Sequence, residues 1–203
     1  ANGDGYDSDV VLAIEWCVDQ GADVINLSLG AGRYDDTCDN NIMAEAVNAA
    51  VEAGAVVACA SGNDGDPENI VAPACASGAI AVGAVDKIDG LASYSDGGKE
   101  LELVAPGGDQ FGGAHYPEIV SAFSTRVAND PDLCFYYLAE MCYDNWFAVE
   151  GSRYVRAVGT SMATPHVAAA AALLLERNLS LTPAQVRQTL EQNADDLGEP
   201  SWD

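Results

Sequence analysis

The alternation of helical segments with short, wholly apolar segments is the feature that most constrains how this chain can fold. Apolar runs without polar alternation predict β-strands that are buried on both faces, at 22–29, 55–60, 79–85 and 101–105. Helical spacing or an Ala- and Leu-rich composition predicts helices between and after these strands, at 9–20, 40–53, 160–177 and from Thr182 onward. Because buried strands joined by helices form parallel sheets, the sequence predicts an α/β fold with a parallel sheet flanked by helices.

Local signals predict where these helices begin and end. Ser8 or Asp9 is expected to cap the first helix, and Gly54 stands where the second should end. Pro165 is placed in the first turn of the third helix, where a missing N–H costs little. The Thr-Pro-Ala-Gln segment at 182–185 predicts an N-cap, a proline at the first helical position and a capping box.

Charge narrows the classes of function that remain. The 203 residues contain 32 Asp and Glu against 8 Lys and Arg, which gives a formal net charge of −24 at pH 7. A surface this negative repels phosphate backbones and anionic lipid, so neither nucleic acid nor a membrane is expected as a partner. The longest apolar run, at 167–175, is far shorter than the roughly 20 residues of a membrane helix. The length fits one domain.

Six cysteines, none in a CxxC pair, argue against a zinc site or a thioredoxin-type motif. Their even number suits a secreted protein with disulfides, although Cys17 and Cys59 have apolar neighbours and are equally well interpreted as buried thiols. Cys134 and Cys142 are close enough in sequence for a local disulfide. They lie in an aromatic-rich segment at about 124–153, which we interpret as an insertion. It is either a self-packed surface excursion or an aromatic flap beside an active site.

The octapeptide Gly159-Thr-Ser-Met-Ala-Thr-Pro-His166 carries the strongest chemical signal. It places Ser161 in the first turn of a helix, where backbone N–H groups lack partners and the helix dipole favours negative charge. A nucleophile whose attack creates a tetrahedral oxyanion needs both. The alternative interpretation is that Ser161, or Thr160 before it, is an ordinary N-cap.

This octapeptide resembles the serine signature of the subtilisin-like serine proteases, the subtilases. Further stretches resemble segments of that family in the same order: a substrate-binding strand, an oxyanion-asparagine loop and the strands that follow, at 24–30, 60–65, 80–85 and 103–107. The resemblance covers nearly the whole chain apart from the insertion, and it implies a subtilisin-like fold. It also implies that residues 1–203 are the C-terminal part of a catalytic domain, incomplete at the N-terminal side.

The resemblance implies roles for individual residues. Ser161 is expected to be the nucleophile of a serine endopeptidase. Asn63 is expected to donate its side-chain N–H to the substrate carbonyl oxygen, together with the backbone N–H of Ser161. An extended peptide substrate is expected to pair with the backbone of Ser28, Leu29 and Gly30.

The pocket for the residue before the scissile bond is implied in the same way. Gly62, like Gly30, fits a place where another backbone must come close. Asp64 is expected at the pocket rim, where its carboxylate would favour polar or basic side chains. Val71 stands where subtilisin has glycine, and is expected to shorten the pocket.

A structural calcium or sodium site is also implied by the resemblance. The matching donors are the carbonyls of Ala74, Ala76 and Ala79 with the carboxylate of Glu102, and hard oxygen ligands suit calcium. Family members usually have aspartate in place of Glu102, whose longer side chain makes a solvated glutamate an equal alternative. No cofactor is expected for the chemistry itself.

The base and the acid of the catalytic triad are unmatched. A serine protease needs a base to take the hydroxyl proton and an acid to orient that base. The family carries them upstream of the strand at 24 as Asp-Thr/Ser-Gly and His-Gly-Thr motifs, and here Asp4-Gly5 lacks the middle residue and no His-Gly pair occurs. His166 is expected to be structural, and His115 follows the wrong strand. We therefore expect Asp and His on a missing N-terminal segment, and no activity from this chain alone.

Three functions remain open. The first is the serine endopeptidase described above, and the second is a non-catalytic subtilase-like module that binds peptides. The third is an unrelated α/β ligand-binding domain, although no Gly-x-Gly-x-x-Gly or P-loop motif supports it. The resemblance implies an extracellular location, and the excess of acid with scarce lysine suggests a halophilic environment.

Overall fold

The computed structural model describes residues 5–109, 119–122, 146–149 and 152–197. In chain order the helices and strands are α1 (Asp7–Asp19), β1 (Val24–Leu27), β2 (Ala31–Tyr34), α2 (Ile42–Glu52), β3 (Val56–Ala60), β4 (Ile70–Ala72), β5 (Ile80–Val85), β6 (Leu103–Pro106), β7 (Ile119–Ala122), β8 (Trp146–Val149), β9 (Ser152–Ala157), α3 (Thr160–Arg177) and α4 (Pro183–Asn193).

A four-stranded parallel sheet in the order β1-β3-β5-β6 forms the centre of the fold. Every residue of β3 and of β5 is buried, as expected for strands covered on both faces. Along β3, Val57 and Cys59 pack with α1 and α2, whereas Val56 and Ala58 pack with α3 and α4. The predicted α/β class, with a parallel sheet flanked by helices, is confirmed.

Two small antiparallel sheets lie outside the parallel one. Strand β2 pairs with β4, and β9 lies between β7 and β8. Strand β8 and the start of β9 fall within the predicted insertion at 124–153, while most of that insertion, with Cys134, Cys142 and also His115 before it, lies outside the described residues. No helix among the described residues is long and apolar enough to cross a membrane.

The predicted helix boundaries lie within about two residues of the observed ones, but two of the local signals were placed wrongly. Tyr6, in an extended conformation, occupies the N-cap of α1 without a side-chain bond, so the prediction of Ser8 or Asp9 as the cap is wrong. Asp7 and Asp9 lie instead in the first turn, where their charge complements the helix dipole. Pro165 lies inside α3 beyond its first turn, so its predicted position is also wrong. The capping box of Thr182 and Gln185 is present as predicted.

The cysteines of the described residues divide between the two interpretations. Cys38 and Cys75 form a disulfide that spans 37 residues and joins the loop before α2 to the segment after β4. Cys59, in the middle of the sheet, is a buried free thiol, and Cys17 is a half-buried one. Burial raises the pKa of the Cys59 thiol, which makes it unreactive.

Candidate active site

The site lies where the carboxyl ends of the parallel strands meet. The segment 28–30 follows β1, the loop at 61–66 (the oxyanion loop) follows β3, and α3 begins beside both. In open α/β sheets ligands bind outside this edge, since connections diverge there and leave a crevice. The structure thus brings together Ser28, Asn63 and Ser161, which are far apart in sequence.

Ser161 and Ser28 hold each other by two hydrogen bonds. The Ser161 hydroxyl donates to the Ser28 carbonyl oxygen at 3.3 Å, and the Ser28 hydroxyl donates to the Ser161 carbonyl oxygen at 2.8 Å. Pro165 explains the second bond. It stands four residues after Ser161 and has no N–H, so the Ser161 carbonyl loses its helical donor and accepts from Ser28 instead. Asn26 donates to the Ser28 hydroxyl oxygen at 2.9 Å and orients it.

Asn63 is oriented by the residue before the candidate nucleophile. Its Oδ1 accepts from the Thr160 backbone N–H at 2.8 Å and from the Thr160 hydroxyl at 3.1 Å. Because a backbone N–H can only donate, this contact fixes which end of the amide is oxygen. The Nδ2 end has no acceptor within the described part of the chain, nor does the Ser161 backbone N–H. Two donors therefore remain available at the start of α3, one on Ser161 and one on the residue that contacts Thr160.

The start of α3 is fixed from the other side by the end of β6. The Gly107 carbonyl accepts from the Gly159 N–H at 3.0 Å and from the Tyr94 hydroxyl at 2.9 Å. Burial is the main cause that raises the pKa of Tyr94 to about 12, so its hydroxyl stays a donor at any physiological pH. The turn that carries Ser161 is therefore held by the sheet.

Val71 of β4 lies between the two glycines predicted to line a substrate pocket. A Cβ on Gly30 would overlap one γ-methyl of Val71, and a Cβ on Gly62 would stand 3.0 Å from the other. Gly62 has φ +121°, which side-chain-bearing residues rarely adopt. The Val71 side chain therefore lies against both glycines, and the predicted shortening of the pocket stays a prediction.

Asp64 at the predicted pocket rim is paired with arginine. Arg33 donates to Asp64 at 3.0 Å through one nitrogen and to Asp66 at 3.0 Å through the other. This clamp joins β2 to the oxyanion loop. It also opposes the negative charge that would have attracted a basic substrate side chain.

Glu102, the predicted carboxylate ligand of a cation, already has a positive partner. Arg187 of α4 pairs with it, and its other oxygen accepts from the Ala81 N–H at 3.0 Å. The carbonyl of Ala76 accepts from the N–H of Ala79 at 3.0 Å, and Ala74 is buried. Glu102 is thus neutralised by the protein itself, and a metal ion at this carboxylate stays a prediction. Among the described residues no group of three or more His, Cys, Asp or Glu side chains could hold one.

His166 takes no part in this arrangement. Its ring Nδ1 contacts the Met162 carbonyl at 2.9 Å, one turn back along α3, and its side chain is exposed. Among the described residues, the Ser161 hydroxyl finds the Ser28 carbonyl and no basic side chain.

Sequence reasoning missed two residues, Arg33 and Asp96, that hold the oxyanion loop. Asp96 is buried and accepts from the N–H groups of Asp64 at 2.9 Å and Asp66 at 2.8 Å. Both residues act across 30 positions or more, and neither belongs to a local motif that could have indicated its role.

A serine at the start of a helix, an asparagine bonded to the residue before that serine, and a parallel α/β sheet together indicate a class of protein. The chain matches the subtilase family over residues 1–203 and belongs to that family. It is 38% identical over 196 residues to the thermophilic serine proteinase of Bacillus sp. strain AK1, covering 97% of this chain and 38% of that protein. It is 36% identical over 202 residues to subtilisin DY of Bacillus licheniformis, covering 98% of this chain and 59% of that protein.

Comparison with solved structures also finds similarity to this family. A cold-adapted subtilisin-like serine proteinase superposes with a TM-score of 0.69 at 28% identity, over 95% of this chain and 56% of that one. The chain thus spans between about two fifths and three fifths of the length of these relatives.

Proposed function

We propose that this chain carries the nucleophile and the oxyanion hole of a serine endopeptidase. One observation carries the proposal: Asn63 is anchored through its oxygen to Thr160, the residue before Ser161, so its N–H₂ group stays available as a donor next to the turn that carries Ser161. An N-cap role for Ser161 does not account for this, because Gly159 occupies the N-cap of α3. Family membership supports the same chemistry.

In the proposed reaction the Ser161 hydroxyl oxygen adds to the carbonyl carbon of a peptide bond. Its proton passes to a histidine, and the new oxyanion accepts hydrogen bonds from Asn63 Nδ2 and the Ser161 N–H. The histidine then protonates the leaving amine as the C–N bond breaks. Water attacks the acyl-enzyme by the same route and restores the serine.

The histidine and its aspartate are proposed to come from an N-terminal segment that completes the domain. Two observations support this. The Ser161 hydroxyl has no basic partner among the described residues, and within them β1 pairs only with β3, which leaves its other edge open. An Asp-Thr-Gly and a His-Gly-Thr motif upstream of Ala1 would support the proposal, and their absence from the complete protein would contradict it.

The substrate is proposed to be an extended peptide or protein segment paired with Ser28, Leu29 and Gly30. Ser28 is half-buried and the other two are exposed, so their backbone is accessible. No cofactor is needed for the chemistry, and neither nucleic acid nor a membrane is proposed as a partner, given the net charge of −24.

The second candidate function is a peptide-binding module without catalysis. The lack of a basic partner for Ser161 among the described residues favours it, since the strand and pocket could bind peptides without a triad. A fluorophosphonate probe separates the two functions, because it reacts only with an activated serine. The complete protein should be labelled at Ser161, and Ser161→Ala should abolish labelling while Ser180→Ala, an exposed serine between α3 and α4, should not. A folded, complete protein that resists labelling would favour the binding module.

An extracellular, saline setting is proposed for the enzyme. The Cys38–Cys75 disulfide supports an oxidising compartment, and the net charge of −24 suits high salt, which screens self-repulsion. The melting temperature should rise between about 0.1 M and 2 M NaCl as that repulsion is screened. A melting temperature that stays constant or falls would contradict the halophilic part of this proposal.

A further inference from the structure

Asp96 is a buried acid that has no cationic partner within the described part of the chain. It is 2% exposed and lies in the segment between β5 and β6. Burial raises its pKa, two backbone N–H donors oppose that shift, and the nearby charges of Asp64 and Asp66 add to it. Both of those acids are themselves paired with Arg33. Burying a carboxylate without a cationic partner costs folding free energy, so we ask what the contacts of Asp96 contribute in return.

All the contacts of Asp96 with the oxyanion loop surround Asn63. Its Oδ1 accepts from the N–H of Asp64 at 2.9 Å and of Asp66 at 2.8 Å, on the far side of Asn63. On the near side, its backbone N–H donates to the Gly62 carbonyl at 3.1 Å and its carbonyl accepts from the Ser61 hydroxyl at 2.9 Å.

The second carboxylate oxygen shapes the loop by contact. Oδ2 lies against Gly62, at a place where any Cβ would overlap it. Gly62 adopts φ +121°, so the loop takes a conformation that glycine permits and Asp96 fills the space left open. Asp96 therefore contacts the backbone on both sides of Asn63, whose own side chain is exposed.

We propose that Asp96 is a positioning residue that fixes the orientation of the Asn63 side chain toward the oxyanion. The inference rests on the proposed peptidase function and adds a residue to it. Catalytic groups have to be held within about 0.5 Å of their productive position, and a misplacement of about 1 Å can cost 10²-fold in rate. Asn63 lies on a loop without regular structure, so Asp96 supplies the rigidity that a strand or helix would give.

A double-mutant cycle in the complete protease tests whether Asp96 acts through Asn63. Asn63→Ala should lower kcat by about 10²–10³-fold, the loss known for removal of the corresponding donor in subtilisin itself. Asp96→Ala should lower kcat by up to about 10²-fold and change KM by less than about 3-fold. Adding Asp96→Ala to Asn63→Ala should lower kcat by no more than about another 3-fold, because the donor that Asp96 positions is already gone.

Two further variants separate positioning from simple stabilisation. Asp96→Asn keeps an oxygen acceptor for the two N–H groups and should retain kcat within about 5-fold of the wild type. Asp86→Ala is the matched control, since Asp86 Oδ1 likewise accepts from two backbone N–H groups, of Ile88 and Gly90, both at 2.9 Å. It lies in the turn after β5 and should lower stability but leave kcat unchanged.

Wild-type kcat in Asp96→Ala, or losses that multiply in the double mutant, would overturn the proposal. Where Asp96→Ala fails to fold, Asp96→Ser takes its place, because a serine hydroxyl is too short to reach both N–H groups. Asp96→Ser should then show the same loss and Asp96→Asn the same rescue, and equal activity of the two would overturn it. Failure of the wild type to label at Ser161 would instead contradict the peptidase function itself.

Discussion

The size of the substrate side chain that the pocket accepts should be set by Val71. Its two γ-methyls lie against Gly30 and Gly62, so in the proposed peptidase the wild-type protein should prefer a small residue before the scissile bond. Val71→Gly removes three carbon atoms from this space. The neighbours Ile70 and Ala72 are buried in the core on the other side of β4, so the backbone should stay in place.

The magnitude follows from the apolar volume that becomes available. Room for about three carbon atoms can bury about three more CH₂ or CH₃ groups of substrate, each contributing about 0.8 kcal/mol. The total of about 2.4 kcal/mol corresponds to about 60-fold, which is an upper estimate because a glycine in β4 would also loosen the strand. The preference for Phe over Ala at this substrate position should therefore rise by between about 10- and 60-fold in Val71→Gly.

The assay compares kcat/KM for two peptides that differ only as Ala or Phe before the cleaved bond. Ile70→Val is the matched control, since it shortens a fully buried residue of the same strand. It should cost about 0.5–1.5 kcal/mol of stability and leave the Phe/Ala ratio unchanged. A ratio that changes by less than about 3-fold in Val71→Gly, with Ala cleavage retained, would refute this account of the pocket.

Three further predictions concern stability and the nucleophile. Replacing Cys38 and Cys75 by serine should lower the free energy of unfolding by about 3–4 kcal/mol, because the disulfide closes a loop of 37 residues. Chemical denaturation measures this loss, and an unchanged free energy of unfolding would contradict the presence of the disulfide. Ser28→Ala should lower kcat about 5-fold, because it removes a hydrogen bond of about 1 kcal/mol to the Ser161 carbonyl. Ser28→Thr keeps the hydroxyl and should keep most of the rate. Equal rates for the two variants would contradict the role of that bond. The Ser77 N–H lowers the pKa of Asp39, and the Lys99 ammonium lowers the pKa of Asp36. The stability that these two carboxylates add is therefore present above their unfolded pKa of about 3.9 and is lost as the pH falls through the lower folded values. Denaturation midpoints between about pH 6 and pH 2 should show this loss, and Asp39→Asn should reduce it; an unchanged pH dependence in that variant would count against the assignment.

The parts of the fold that could be predicted from the sequence are those dictated by local physics. Strands β3 and β5 are apolar at every position because both faces are covered, and the shortness of these runs favours strands over buried helices. The capping box at Thr182 was equally predictable, since its partner Gln185 lies three residues away. At Tyr6 the same reasoning failed, because an extended residue can start a helix without a side-chain bond.

The side chains proposed to react could be predicted from the sequence, whereas the hydrogen bonds that hold them in place could not. Ser161 and Asn63 belong to short segments with a family pattern, so the sequence alone could predict roles for them. The bonds that hold them join residues far apart, such as Ser28 to Ser161 across 133 positions and Asp96 to Asp64 across 32. A single sequence carries no local signal for such pairs. The same holds for Glu102, whose partner Arg187 only the fold brings within reach.

Labelling of Ser161 by a fluorophosphonate in the complete protein tests the central claim most directly. Mass spectrometry should find one modified peptide, containing Ser161, and the rate should drop by about 10²–10³-fold in Asn63→Ala, because the phosphonyl oxygen uses the same donors as the substrate oxyanion. The 203-residue chain alone should react far more slowly, since no base that activates the hydroxyl is matched in its sequence. A complete, folded protein that leaves Ser161 unlabelled, or that labels equally fast without Asn63, would contradict the account.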